Sequence, residues 1–103
     1  MEYSFQLKKG KKNIPVVRFS DSANALAGEF LLAERGILNE ITALLQSRTD
    51  GRLSGNAFTL HTKGNRVIIV NDITHKTLTV DAYEFRTLAE DYDAEIKRLR
   101  KHT

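Results

Sequence analysis

The residues able to do chemistry are few and spread along the chain. The metal-ligand candidates are His61, Asp72 and His75, with His102 near the end. The pattern predicts that His61 lies four to five residues along the strands from the other two, at about 3.3 Å per residue, too far to converge on one ion. An Asp72–His75 pair alone is a weak chelate, and His102 falls in a terminal segment expected to fray. With no cysteine in the chain, there is no thiolate ligand, thiol nucleophile or disulfide. The serines fall in caps and turns, with no strand–turn–helix elbow around any of them. Asp91, Asp93 and Glu95 crowd one helix, where a solvated surface is the expected role. The glycines are scattered and show no phosphate-loop spacing. These absences predict a protein without metal, cofactor or identified small-molecule substrate, and not an enzyme.

What remains is charge. Lys8-Lys9-Gly10-Lys11-Lys12-Asn13 sets four lysines around a glycine, and Lys63-Gly64-Asn65-Arg66 repeats the theme. Lys8, Lys9, Lys11, Lys12, Lys63 and Arg66 are thus the candidates for sequence-independent phosphate contacts. The competing reading is favoured: lysine-rich hairpin tips keep strand edges soluble. Net charge is +3, a mild excess, and it is arranged in poles. Residues 1–18 and 97–101 are basic, whereas residues 81–95 carry Asp81, Glu84, Glu90, Asp91, Asp93 and Glu95 against Arg86.

The elements follow from periodicity. The chain's 103 residues predict one domain, 1–103, with a core that buries roughly 65% of the unfolded chain's surface. Tyr3, Phe5 and Leu7 alternate with polar residues, which predicts a strand. Ile14 to Phe19 is its partner, either an edge strand or one entered at Pro15. Two registers compete: Phe5 opposite Val16, or Phe5 opposite Val17 with Tyr3 opposite Phe19. Ser20, Asp21 and Ser22 are candidate N-caps. Leu26, Phe30, Ala33, Ile37, Ile41, Leu44 and Leu45 then step by three and four, with a bend or break predicted near Gly36. Thr49 to Asn56 reads as a loop from its turn residues. Phe58–Thr62 and Arg66–Asp72 flank Gly64-Asn65, which suits a two-residue type II′ reversal. Thr77–Val80 is a further strand. Asp81 and Glu84 predict a capped helix with a Phe85, Leu88, Ala89, Tyr92, Ile96 and Leu99 stripe, and Val80 against Phe85 as its staple. The fold class is therefore α+β, order ββαβββα, a mainly antiparallel sheet packed by two helical segments.

The Gly64-Asn65 turn sorts the central hairpin into two faces. Leu60 opposes Ile69 and Phe58 opposes Asn71, so Phe58, Leu60, Val67 and Ile69 face the core. Thr59, His61, Ile68 and Val70 share the other face, with Thr77 and Thr79 beside them. Ile68 and Val70 are apolar there and need cover. Either the first helix or the N-terminal hairpin covers them within the monomer, or they form a surface for a protein partner or a second copy. A helix, three strands and a helix is also the order of double-stranded-RNA-binding domains. Those grip phosphates with a lysine-rich start to their second helix, whereas Asp81-Ala82-Tyr83-Glu84-Phe85 would repel them. A stacking sheet is equally unsupported, since this face lacks aromatics.

Phe58, Leu60, Gly64, Val67, Ile69, Asn71, Asp81 and Phe85, with an opening Tyr3-x-Phe5 strand, carry one resemblance. About half the chain resembles the C-terminal half of small bacterial immunity-type and uncharacterised α+β proteins. The resemblance implies a non-catalytic protein that neutralises or regulates a partner by covering it. Immunity proteins against basic nucleases present an acidic face, and this chain is net basic, which points to its acidic helix surface or to another kind of target. The alternatives are a weak nucleic-acid binder using its lysine tips and an enzyme without a recognisable motif. No run approaches the roughly 20 apolar residues of a membrane span and no signal peptide is expected, so no membrane association and a cytoplasmic location are predicted.

Overall fold

In a computed structural model the described residues are 1–101; the His102 candidate lies outside them. Two antiparallel sheets and three helices share one core. Strands β1 (Tyr3–Leu7) and β2 (Pro15–Phe19) form a hairpin. Helices α1 (Ala25–Ala33) and α2 (Leu38–Ser47) follow. Then come β3 (Gly51–Ser54), β4 (Phe58–Lys63), β5 (Arg66–Asn71) and β6 (Thr77–Asp81), paired in that order, and α3 (Ala82–Arg100) closes the chain. No helix among the described residues is long and apolar enough to cross a membrane.

The first hairpin takes the second of its two registers, with Phe5 opposite Val17 and Tyr3 opposite Phe19. Packing explains the choice. Phe19 and Val17 then lie under Gly28 of α1, where an added Cβ would meet Phe19 Cε2 at 3.1 Å and Val17 Cβ at 3.3 Å. Gly28 thus lets α1 approach β2 closely, which offsets its cost to the helix.

The helical stretch breaks where Gly36 predicted. A 3-10 turn over Arg35–Ile37 separates α1 from α2 and resets the phase of the apolar stripe. Leu26, Phe30, Ile41 and Leu45 are buried as the spacing predicts, but Ala33 faces solvent, and Ala27, Leu31 and Leu38 join the core. Of the three N-cap candidates Asp21 caps a 3-10 turn over Ser22–Asn24, its carboxylate accepting from Ala23 N at 2.9 Å, whereas α1 itself follows Asn24 and has no side-chain cap.

Thr49–Asn56 is not wholly a loop. Gly51–Ser54 is strand β3, which extends the meander to four strands, with Arg52 opposite His61 and Ser54 opposite Thr59. Two contacts hold this edge. Thr62 Oγ1 donates to Thr49 O at 2.8 Å, and Gly64 N donates to Asp50 Oδ1 at 2.8 Å.

The β4–β5 turn has two residues. Gly64 has φ +58 and Asn65 does not have positive φ, as a type II′ turn requires. The β5–β6 turn is organised by Asn71, whose Oδ1 accepts from Ile73 N and Thr74 N. His75 closes it at φ +65 and donates its backbone N–H to Asn71 O.

Helix α3 is capped by Asp81, which accepts from Glu84 N at 3.0 Å. Glu84 does not reach back as a capping box would; its carboxylate takes the Met1 amine at 2.8 Å. The stripe Phe85, Leu88, Ala89, Tyr92, Ile96 and Leu99 is buried, as is Val80 before it. Phe85 meets Phe30, and Phe30 meets Phe58, with ring centroids 6.0 and 5.7 Å apart. These rings tie α1, α3 and the core face of the sheet together.

Candidate interaction face

The pairing of β3 to β6 builds the outer sheet face in two rows. One runs Arg52, His61, Ile68, Thr79; the other runs Ser54, Thr59, Val70, Thr77. The core residues Phe58, Leu60, Val67 and Ile69 all point the other way, toward the helices. Ile68 and Val70 are half-buried in the sheet surface, and each retains exposure on the outer side. The first helix lies on the core side, where Leu26, Ala27, Phe30 and Leu31 are buried, and the first hairpin packs along α3. Neither provides the cover that Ile68 and Val70 invite.

The six residues singled out from the sequence are thus on one face, but they are not equal. Thr77 and Thr79 are exposed and His61 is half-buried. Thr59 is buried, and its hydroxyl donates to the Asp72 carboxylate at 2.8 Å, so it offers a partner little surface. Arg52 and Ser54 belong to the face and were hidden by the loop reading of residues 49–56. The signal was present: Arg52 and Ser54 alternate with the half-buried Leu53 at period two. A shallow concavity bounded by Arg52, His61, Lys63, Ile68 and Val70 occupies the end nearest the β4–β5 turn. Asp72 marks the opposite end, and the β5–β6 turn there holds Ile73 at 74% exposure.

The metal candidates stay apart. Asp72 N donates to Ala57 O, four residues along β4 from His61, about 13 Å in an extended strand. Among the described residues no group of three or more His, Cys, Asp or Glu converges on a cation site.

The two basic tips do not join. Ala82 N donates to Asn65 O, which sets Lys63 and Arg66 at the start of α3. The first hairpin runs along that helix in the same direction. Met1 lies at Glu84, the Tyr3 hydroxyl bonds Asp91, and Tyr92 OH donates to Pro15 O at 2.8 Å. Its tip, with Lys8, Lys9, Lys11 and Lys12 all exposed, therefore points past Tyr92, ten residues or about 15 Å further along α3. Gly10 turns that tip with φ +78 and open space around it.

The acids of α3 are already engaged. Glu84 holds Met1, Glu90 accepts from Gln46, Asp91 from Tyr3, Asp93 from Lys97, and Glu95 from Arg98. The Arg98 guanidinium holds the Glu95 carboxyl below its ordinary value, chiefly by hydrogen bonding. Glu84, Asp93 and Glu95 are thus paired with cations, whereas Glu90 and Asp91 accept from neutral donors.

The feature with no counterpart in the sequence reading is Glu34. It is 2% exposed at the end of α1, and its carboxylate accepts three backbone N–H groups: Asn56 and Ala57 at 2.8 Å and Phe58 at 3.0 Å. It fixes the β3–β4 connection and hence the position of β3 on the outer face. Gly55 leaves the room: a Cβ there would lie 2.3 Å from Glu34 Oε1.

The chain matches no protein-family model, no curated protein and no solved structure.

Proposed function

We propose that this is a small non-catalytic binding domain that acts through the outer face of its four-stranded sheet, neutralising or regulating a protein partner. The observation that carries the proposal is the uncovered pair Ile68 and Val70, central in a sheet whose other face is fully packed. Threonine and half-buried aliphatic side chains lose little on desolvation, so such a surface suits protein contact. The resemblance to immunity-type proteins agrees with action by covering a partner. Pairing of Glu84, Asp93 and Glu95 with cations favours the sheet over the acidic helix as the contact surface. A second copy of the chain is the simplest partner. Cytoplasmic action fits the cysteine-free sequence.

Lysine at position 68 tests the proposal, because it places a charge in the middle of the face without touching the core. Wild type is expected to self-associate in sedimentation, or to retain a partner from extracts of its source, and Ile68→Lys to lose that association while melting normally. Equal association by both proteins would reject the sheet face. The nucleic-acid alternative predicts binding that weakens steeply with salt and a flatter slope after lysine-to-glutamine changes in the first tip.

A further inference from the structure

A second concavity lies on the helical side of the molecule. A cavity of about 280 Å³ opens between the end of α2, the β4–β5 turn and the first turns of α3. Its apolar wall is Leu44 and Leu45, and Arg48 and Arg86 both line it. Neither guanidinium donates a hydrogen bond or joins an ion pair among the described residues. The nearby acids form no ion pair with either guanidinium. Asp50 accepts from Gly64 N, Asp81 from Glu84 N, Glu84 from Met1, and Glu90 from Gln46. Arg86 is half-buried and stacks on the Tyr83 ring, its Cζ 5.2 Å from the ring centroid. A cation–π contact of this kind uses none of the guanidinium N–H donors. Arg48 sits in the left-handed region at φ 56, at the point where α2 ends.

Two unpartnered guanidinium groups beside an apolar wall and an aromatic ring form a fork for an oxyanion with a hydrophobic recess next to it. We infer that this cavity binds a small organic anion, a carboxylate or phosphate carried on a planar or apolar body. Arg48 and Arg86 take the oxyanion, while Leu44, Leu45 and Tyr83 take the body. Of the backbone donors at the start of α3, Ala82 N and Glu84 N are already bonded within the protein.

Phenyl phosphate is a suitable probe, with benzyl alcohol as the body without charge and inorganic phosphate as the charge without body. A ligand of this size is expected to bind with Kd on the order of 1 mM. Titration by ¹⁵N–¹H NMR should give saturable shifts at Gly64, Asn65 and the Arg86 Nε, and none on the outer sheet face. Arg86→Gln and Arg48→Asn should each weaken binding by about tenfold or more, the loss of one charge-assisted contact. Asparagine tolerates the left-handed backbone at 48, so that variant keeps its fold, and melting curves verify both. Absence of saturation by about 10 mM, ten times the expected Kd, would overturn the inference. So would equal binding of either control compound, or full affinity in both folded variants.

Discussion

Glu34 offers the sharpest test of how the chain holds its sheet. Replacing it with alanine removes the acceptor for three backbone N–H groups at 2.8–3.0 Å. Phe58 is 4% exposed, so its N–H has no access to water in compensation. An orphaned buried donor costs about 1–3 kcal/mol, and the two part-buried donors add about 0.5–1 kcal/mol each. Relief from burying the carboxylate offsets part of that sum. Glu34→Ala is expected to destabilise by about 3 kcal/mol, which lowers Tm by about 12–24 °C in a domain of this size. Glu34→Gln should cost about half as much. Its carbonyl oxygen replaces Oε2, which serves both Ala57 and Phe58, while its amide nitrogen faces the Asn56 N–H with a donor. Gly55→Ala reaches the same carboxylate from the other side, since its Cβ would stand 2.3 Å from Glu34 Cδ. It should cost about 2 kcal/mol in wild type and far less when residue 34 is already alanine, a coupling of at least about 1 kcal/mol. Scanning calorimetry or urea melts of wild type and the four variants decide the matter. A Tm loss below about 4 °C for Glu34→Ala, or additive effects in the double variant, would refute the reasoning.

Three further outcomes are expected. Burial pushes the Tyr92 phenol from its ordinary 10.0 up to about 12, with Arg35 opposing weakly. The raised folded value favours the neutral ring, so its contribution to stability is complete below about pH 10 and lost as pH rises toward about 12; ultraviolet titration with parallel melts should show unfolding track that ionisation, and a Tyr92 phenolate formed near pH 10 in folded protein would contradict it. Gly64→Ala should destabilise by about 1 kcal/mol or more, because the turn needs positive φ although nothing crowds the position. Gly36→Ala should instead stabilise by about 0.4–1 kcal/mol, since Gly36 has ordinary φ and open space, and denaturant midpoints distinguish the signs.

These contrasts show which parts of the fold were legible. The Gly64-Asn65 reversal was readable because its chemistry is local: glycine supplies the unusual φ, and the turn length fixes every opposite pair in β4 and β5. Helix α3 was readable because its cap, stripe and charge order agree. Strand β3 was not, because Asp50, Gly51, Ser54 and Gly55 are turn formers and only its ladder to β4 and the Glu34 clasp make Gly51–Ser54 extended. Glu34 itself looked like one more surface acid on a helix, since its partners lie 22 to 24 residues away in sequence. The outer face was therefore two residues larger than expected, through Arg52 and Ser54, and poorer by Thr59, whose hydroxyl is taken by Asp72. The Arg48–Arg86 cavity had no sequence signal, because α2 and α3 bring those arginines together only after folding.

The central claim is that the uncovered side of the sheet is the working surface. Hydrogen–deuterium exchange of the wild type, alone at rising concentration and with any captured partner, measures that directly. The account predicts added protection in β4 and β5 around Ile68 and Val70, absent in Ile68→Lys. Protection appearing only on α3 or at the Lys8–Lys12 tip, with β5 unchanged, would contradict it.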